Sequence, residues 1–167
     1  HIRKPLGTKI LSHNQITLWI SQFPIYRHLT RYMAFPYGIK QHSLHDYLKF
    51  LKKNAYIKKK VLIENLHAEV HAHIPSNHVR REYKLFGFKS GPRLDYATYL
   101  TRVVNTEFLI STGGDREDCY RHYEAIGLGT KPVSNINRKL YSQIFESSMI
   151  FESPTNMQNW VLDKKIT

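Results

Sequence analysis

The residues best placed to do chemistry lie between Phe108 and Ser134, in the run FLISTGGDREDCYRHYEAIGLGTKPVS. The strand-forming residues Phe108 to Ser111 lead straight into Thr112, Gly113, Gly114 and Asp115, and then into a segment of helical periodicity. Backbone N–H groups and the positive end of a helix dipole therefore converge at the strand's carboxyl end, which is an anion site. Two adjacent glycines let the backbone approach a diphosphate closely. Asp115 is expected to cap the helix, with Asp118 three residues on. The run is neither a Walker A loop, since no Gly-Lys-Ser/Thr follows, nor a GxGxxG fingerprint.

At about 100° per residue, Cys119, Tyr123 and Ile126 share one side of this helix, and Glu117, Arg121, Glu124 and Leu128 share the opposite side. The first set is read as core. In the second, Arg121 can hold a phosphate bidentately and Glu124 can accept from two sugar hydroxyls. The competing reading is an exposed Glu117–Arg121 pair on a solvated face, contributing little to stability.

The run Asp118 to Ala125, with Leu128-Gly129 and Lys131-Pro132-Val133 after it and the strand ending in Ser111 and Gly113 before it, resembles the C-terminal signature of the exostosin-like glycosyltransferases. More loosely, Trp19 through Phe35-Pro36-Tyr37-Gly38-Ile39 resembles the family's passage from acceptor to donor domain, and the segment around Arg80 and Arg81 its arginine-bearing helix. The resemblance implies one half of a GT-B fold: residues 1–41 as a remnant of the preceding domain plus linker, and 42–167 as a Rossmann-like donor-binding domain. It implies a UDP- or GDP-sugar as donor substrate, a glycan hydroxyl as acceptor, and no metal or other cofactor. Carried over by motif, Arg121 contacts the diphosphate and Glu124 the ribose or donor sugar. Thr112, Gly113, Gly114, Asp115, Arg116 and Asp118 form the surrounding loop, one of Arg80 or Arg81 is a second phosphate contact, and Asn65 lies in the turn after the first donor-domain strand. Thr112 to Arg116 lacks the family's usual proline and asparagine, and Thr130-Lys131 replaces a small or apolar pair. The catalytic base is expected from the other half. A non-catalytic nucleotide- or glycan-binding module is therefore the second reading.

Other clusters are weaker. His67, His71, His73 and His78, with Glu64 and Glu69, have loop-like spacing and are read as cleft-edge residues in preference to a metal site. Cys119, on the expected buried stripe, is read as a packed small residue and not a nucleophile. No Gly-x-Ser-x-Gly occurs, which disfavours a serine hydrolase. Lys49, Lys52, Lys53 and Lys58 to Lys60 lie near Tyr47, Phe50 and Tyr56. They are read as a solvated helix end, with contact to an acidic membrane surface next and nucleic acid last.

The elements that position these residues are legible from periodicity. Thr8 to Ser12 and Ile16 to Ile20 are short apolar pieces, and Pro and Gly mark a linker near 22–41. Ser43 is expected to cap a helix that buries Leu44, Tyr47, Leu48 and Leu51. Val61-Leu62-Ile63 reads as a strand buried on both faces. Helices are expected near 77–86, 95–105, 116–128, 137–145 and 154–162, with strands at Phe108 to Ser111, Pro132 to Ser134 and Met149 to Phe151. This alternation implies a Rossmann-like α/β domain, a parallel sheet with helices on both faces and ligands beyond the strands' carboxyl ends.

Composition agrees. The chain has 167 residues, 41% hydrophobic, with 25 Lys+Arg against 13 Asp+Glu and a net charge of +12. That suits one folding unit with an anionic partner and excludes a disordered basic tail. The single cysteine excludes an intramolecular disulfide, and no apolar run approaches the roughly 20 residues that span a bilayer. The chain begins HIRKPLGTKIL, without methionine or a signal-like stretch, so a segment of a longer protein is expected. The compartment, cytoplasmic or Golgi-type, and the oligomeric state are not written in the sequence.

Overall fold

The computed structural model describes residues 4–22, 31–54, 57, 59–64, 92–113, 117–151, 156 and 159. Helix α1 (Lys4–Ser12) precedes strand β1 (Trp19–Ser21), which pairs in parallel with β2 (Tyr32–Ala34). Helix α2 (Leu44–Asn54) leads to β3 (Val61–Glu64). Then follow α3 (Tyr96–Asn105), β4 (Thr106–Ile110), α4 (Tyr120–Gly127), β5 (Lys131–Ser134), α5 (Arg138–Phe145) and β6 (Ile150–Phe151). The protein is α/β, with a parallel sheet in the order β3-β4-β5-β6 flanked by helices, as in Rossmann-like folds. Each strand neighbours the next in sequence, so every crossover steps the same way. Helices α2, α3 and α4 pack together on one of the sheet's faces.

That face is where the largest core lies. Leu109 of β4 meets Leu100, Val103 and Val104 of α3, Ala125 of α4 with Leu128 just beyond it, and Tyr47 of α2. Fully burying each Leu or Val contributes about 1.5–3 kcal/mol. On the opposite face Phe108, Ile110 and Val133 are also buried, and the described residues packed on them belong to β3 and β6. A third cluster, Ile136, Tyr141, Phe145 and Met149, joins α5 to Tyr123 and Ile126 of α4.

Helix ends follow local chemistry. Asp95 caps α3 by accepting from Thr98 N–H at 2.9 Å, and Asn137 caps α5 by accepting from Lys139 N–H at 3.0 Å. Helix α4 closes in a Schellman turn: Gly129 N–H donates to Ile126 O and Thr130 N–H to Ala125 O, both at 2.9 Å, with Gly129 at φ +68°. Lys59 turns inward from the lysine run and joins the ends of two helices, donating to Val104 O, Leu128 O and Thr130 Oγ1 at 2.7, 2.8 and 2.9 Å. Burial lowers its pKa from the ordinary lysine value.

Four sequence expectations are corrected. Ser43 does not cap α2, because a 3-10 turn, Gln41–Ser43, extends the helix backward. Leu44 and Leu48 are 41% and 45% exposed, and the packed side of α2 is Tyr47, Phe50 and Leu51, since α3 and α4 approach from that side. Strand β3 ends the described sheet, which leaves Val61 exposed where burial on both faces was expected. Residues 32–34, expected in a linker, form a strand that packs against α5. The helices expected near 77–86 and 154–162 lie outside the described residues, apart from 156 and 159.

Candidate functional site

Strand β4 ends at Ile110, and the chain continues through Ser111, Thr112 and Gly113 toward the N-terminus of α4. Ser111 N–H still pairs with Val133 O at 2.9 Å, so the strand's carboxyl end is rigid where the turn begins. Ser111 Oγ is fully buried and has no hydrogen-bond partner among the described residues. Such an orphaned hydroxyl is uncommon in a native fold.

Helix α4 starts at Tyr120, not near 116, and its cap is Cys119, not Asp115. The Cys119 sulfur accepts from the backbone N–H of His122, and the His122 ring returns to the cap, its Nδ1 lying 3.4 Å from Cys119 N and accepting from that N–H only while the imidazole is neutral. This is a capping box built from Cys and His instead of Ser and Glu. His122 is 0% exposed, with Nε2 on Ser111 O at 3.0 Å, so Nε2 carries a proton and donates to that carbonyl. Nδ1 also lies 3.4 Å from Asp118 Oδ1. Burial pushes the Cys119 thiol up, but the charge and hydrogen bond of His122, with help from Arg121, bring it down to about 7. Burial pushes His122 down, and Cys119, Asp118 and the Ser111 carbonyl together raise it to about 9.

Two results are expected from this pair. First, His122→Gln should move the Cys119 titration from about 7 back toward the ordinary 9, slowing alkylation at neutral pH about tenfold. The pH dependence of the alkylation rate reads this, and an unchanged midpoint would refute the coupling. Second, taken alone, His122 would lose its stabilising contribution as pH rises from 6.5 through about 9. Cys119 alone would gain its own between about 7 and 9. A thiolate–imidazolium pair holds one proton, as does the thiol–imidazole of the unfolded chain, so stability from these two groups is flat across that window.

Asp118 is 1% exposed and fastens the N-terminal piece to α4: its Oδ2 accepts from Tyr123 Oη at 2.7 Å and from Tyr37 N–H at 2.8 Å. Glu117 reaches the turn after β5 and accepts from Asn137 N–H at 3.4 Å.

Arg121 and Glu124 share one side of α4, one turn apart, but that side is not solvated. Glu124 is 1% exposed, and the helix buries His122, Glu124 and Ala125, whereas Cys119, Tyr123 and Ile126, expected as core, are half-buried. The reason is α3, whose Tyr96 and Tyr99 lie one turn apart and donate to Glu124 Oε1 and Oε2 at 2.8 and 3.1 Å. The two hydroxyls expected from a sugar are here supplied by tyrosines, and each carboxylate oxygen keeps a second lone pair. Burial raises the Glu124 pKa, while the two tyrosine hydroxyls, then Arg121 and Lys40, pull it back. Arg121 is half-buried and remains a cation: burial lowers its pKa, but Tyr99 and Cys119 lead the groups that raise it above the ordinary value. At the rim, Lys40 Nζ stands 5.3 Å from the Tyr120 ring centroid, and the Tyr37 and Tyr120 rings are 6.3 Å apart.

No protein-family model matches the chain, and no curated protein matches it.

Of the expected site residues, Thr112 and Gly113 follow β4, Asp118 precedes α4 and faces Tyr37 and Tyr123, and Arg121 and Glu124 lie on α4, with Glu124 turned to Tyr96 and Tyr99 of α3. Gly114, Asp115, Arg116, Asn65, Arg80 and Arg81 lie outside the described residues, as do His67, His71, His73, His78 and Glu69. Glu64, from the same histidine-rich region, is engaged with Arg102 at 2.8 Å. Tyr96 and Tyr99 are not singled out by the sequence, Ser111 enters it only as the end of a strand, and His122 only as a neighbour of Cys119. Only the i, i+3 tyrosine pair carried a signal, and it needed a known partner helix to be read.

Proposed function

We propose that this domain binds a nucleotide diphosphate-sugar at the carboxyl end of β4 and serves as the donor-binding part of a glycosyltransferase acting on a glycan hydroxyl. One observation carries the reading: the orphaned Ser111 hydroxyl lies in the strand-to-helix turn that leads through Thr112 and Gly113 to Arg121 on the first turn of α4. A diphosphate meets there a guanidinium, backbone N–H groups and the helix dipole, all complementary to charge that grows as the sugar leaves. Glu124 holds α3 and Arg121 in place and offers its remaining lone pairs to a ribose or sugar hydroxyl. The resemblance of Asp118 to Ala125 to the exostosin-like signature supports the same chemistry.

His122 favours a second reading, a nucleotide-binding module without turnover. Its Nε2 is committed to Ser111 O inside the core, so it is no general base. The acceptor's proton must then go to a group outside this site, or transfer does not occur.

Ligand-observed NMR with UDP, GDP and their sugar conjugates tests the site. Binding that survives high salt and weakens about tenfold in Arg121→Ala, the loss of a charge-assisted contact, is the expected result. Normal donor binding by the folded variant would overturn the assignment. Sugar release or transfer by the wild-type chain separates the two readings.

A further inference from the structure

We propose that the cleft between α2 and α3 is a binding site for a small aromatic acid carrying one anionic group. Asp46, Lys49, Phe50 and Lys53 recur at i, i+3, i+4 and i+7 and so share one side of α2. Together with Tyr96, Ala97 and Leu100 of α3 they line a cavity of about 260 Å³. Its apolar wall belongs to the main core: Leu100 is buried there, and Phe50 and Tyr96 pack on the same cluster. Ala97 brings only a methyl group, so α3 leaves the space open. The Tyr96 ring is held in place, because its hydroxyl donates to Glu124 Oε1 at 2.8 Å, which makes that wall preformed. A cavity of about 150 Å³ takes benzene, so this one has room for a ring and a short acidic arm.

Charge selects the ligand, and the charges line the space itself. Lys49 and Lys53 are exposed and one turn apart, and neither forms an ion pair among the described residues. Lys52, their neighbour in sequence, does not line the cavity. Asp46 stands at the other end, two turns or about 10 Å along the axis from Lys53. An anionic group therefore settles between the two ammonium groups and is repelled at Asp46, so the ligand has one anionic end. Its ring then covers Phe50, Tyr96 and Leu100, where aromatic faces and edges meet. A polyanion such as a nucleic acid or an acidic lipid surface would engage Lys52 as fully as its neighbours and leave the apolar wall empty. The lysines and Asp46 take no part in the diphosphate contacts proposed above, so this site stands apart from that reading.

The test is an amide NMR titration of the full chain with phenylacetate, with phenethyl alcohol as the neutral probe and acetate as the ringless one. Saturable shifts at residues 46–53 and 96–100 are expected with phenylacetate, about tenfold weaker binding with the alcohol, and no binding with acetate. Lys49→Glu/Lys53→Glu, and separately Ala97→Phe, which fills the space, should each weaken phenylacetate binding about tenfold or more, whereas Lys52→Glu should leave it nearly unchanged. The dispersion of each variant's amide spectrum checks that the fold is kept, and either of the two blocking variants suffices for the comparison. Four results overturn the proposal: no shifts at these residues with millimolar phenylacetate, equal binding of the alcohol, equal loss in Lys52→Glu, or undiminished binding in a folded blocking variant. UDP and GDP binding is expected to be the same in all these proteins, so failure here is distinct from failure of the donor site.

Discussion

Glu124→Ala is expected to destabilise the domain by about 2–4 kcal/mol, whereas Glu124→Gln should stay within about 1 kcal/mol of wild type. The alanine leaves the hydroxyls of Tyr96 and Tyr99 without the oxygens they reach at 2.8 and 3.1 Å and opens a space beneath Tyr47, whose hydroxyl donates to Glu124 O. It also removes the negative charge facing Arg121. The amide keeps the volume and one acceptor, presents its NH2 to the other hydroxyl, and escapes the cost of burying an ionised group. The sign with pH follows from the raised Glu124 pKa: its contribution is present below 4.5 and is lost as pH rises through the higher folded value. Glutamine therefore gains on wild type between acid and neutral pH. Urea unfolding at both pH values reads this, and an alanine variant no less stable than the glutamine variant would sink it.

The same residue shows what was legible in the sequence. The α/β alternation, the four strands of the main sheet and the helices at 96–105, 120–127 and 138–145 follow from runs of Val, Ile, Leu and Phe broken by Gly, Asn and Pro. These are local signals, and local signals survive. The face that α4 buries was misread because its wheel carries apolar residues on both sides. Which side is core depends on α3 and α5, and α3 chose the side with Glu124 by supplying two hydroxyls. The cap was misread because Cys is a rare cap: Asp115 had the better side chain, but the turn is long enough to start the helix at Tyr120. Lys59, read with its neighbours as part of a solvated basic run, was placed inside by carbonyls of two helices that no sequence window contains together. The Arg121–Glu124 pairing was legible because i, i+3 spacing is a property of the helix alone.

Phe145→Ala is expected to cost about 3–5 kcal/mol, the largest single loss outside the β4 core, and to reach the candidate site. Phe145 is 1% exposed at the end of α5. Its ring meets His122 edge-on at 5.5 Å, Tyr123 at 5.4 Å and Tyr141 at 6.4 Å. Each pair adds about 0.5–1.5 kcal/mol beyond burial of area. Neither ring on α4 is free to follow a shrinking neighbour: His122 is pinned to Ser111 O and Tyr123 to Asp118 Oδ2. The cavity therefore stays open, which puts the cost at the upper end of its class. Ile144→Ala, on the same helix but half-buried, should cost less than half as much. The informative readout is the Cys119 thiol. If Phe145 does no more than fill volume, the folded variant titrates as wild type does. If its ring holds the imidazole against the cap, the thiol titration moves up from about 7 as His122 loosens, although the substituted residue is on another helix. A lowered urea midpoint with an unmoved thiol titration would confine Phe145 to the core. Both changes together would make α5 the wall against which the first turn of α4, and Arg121 with it, is set.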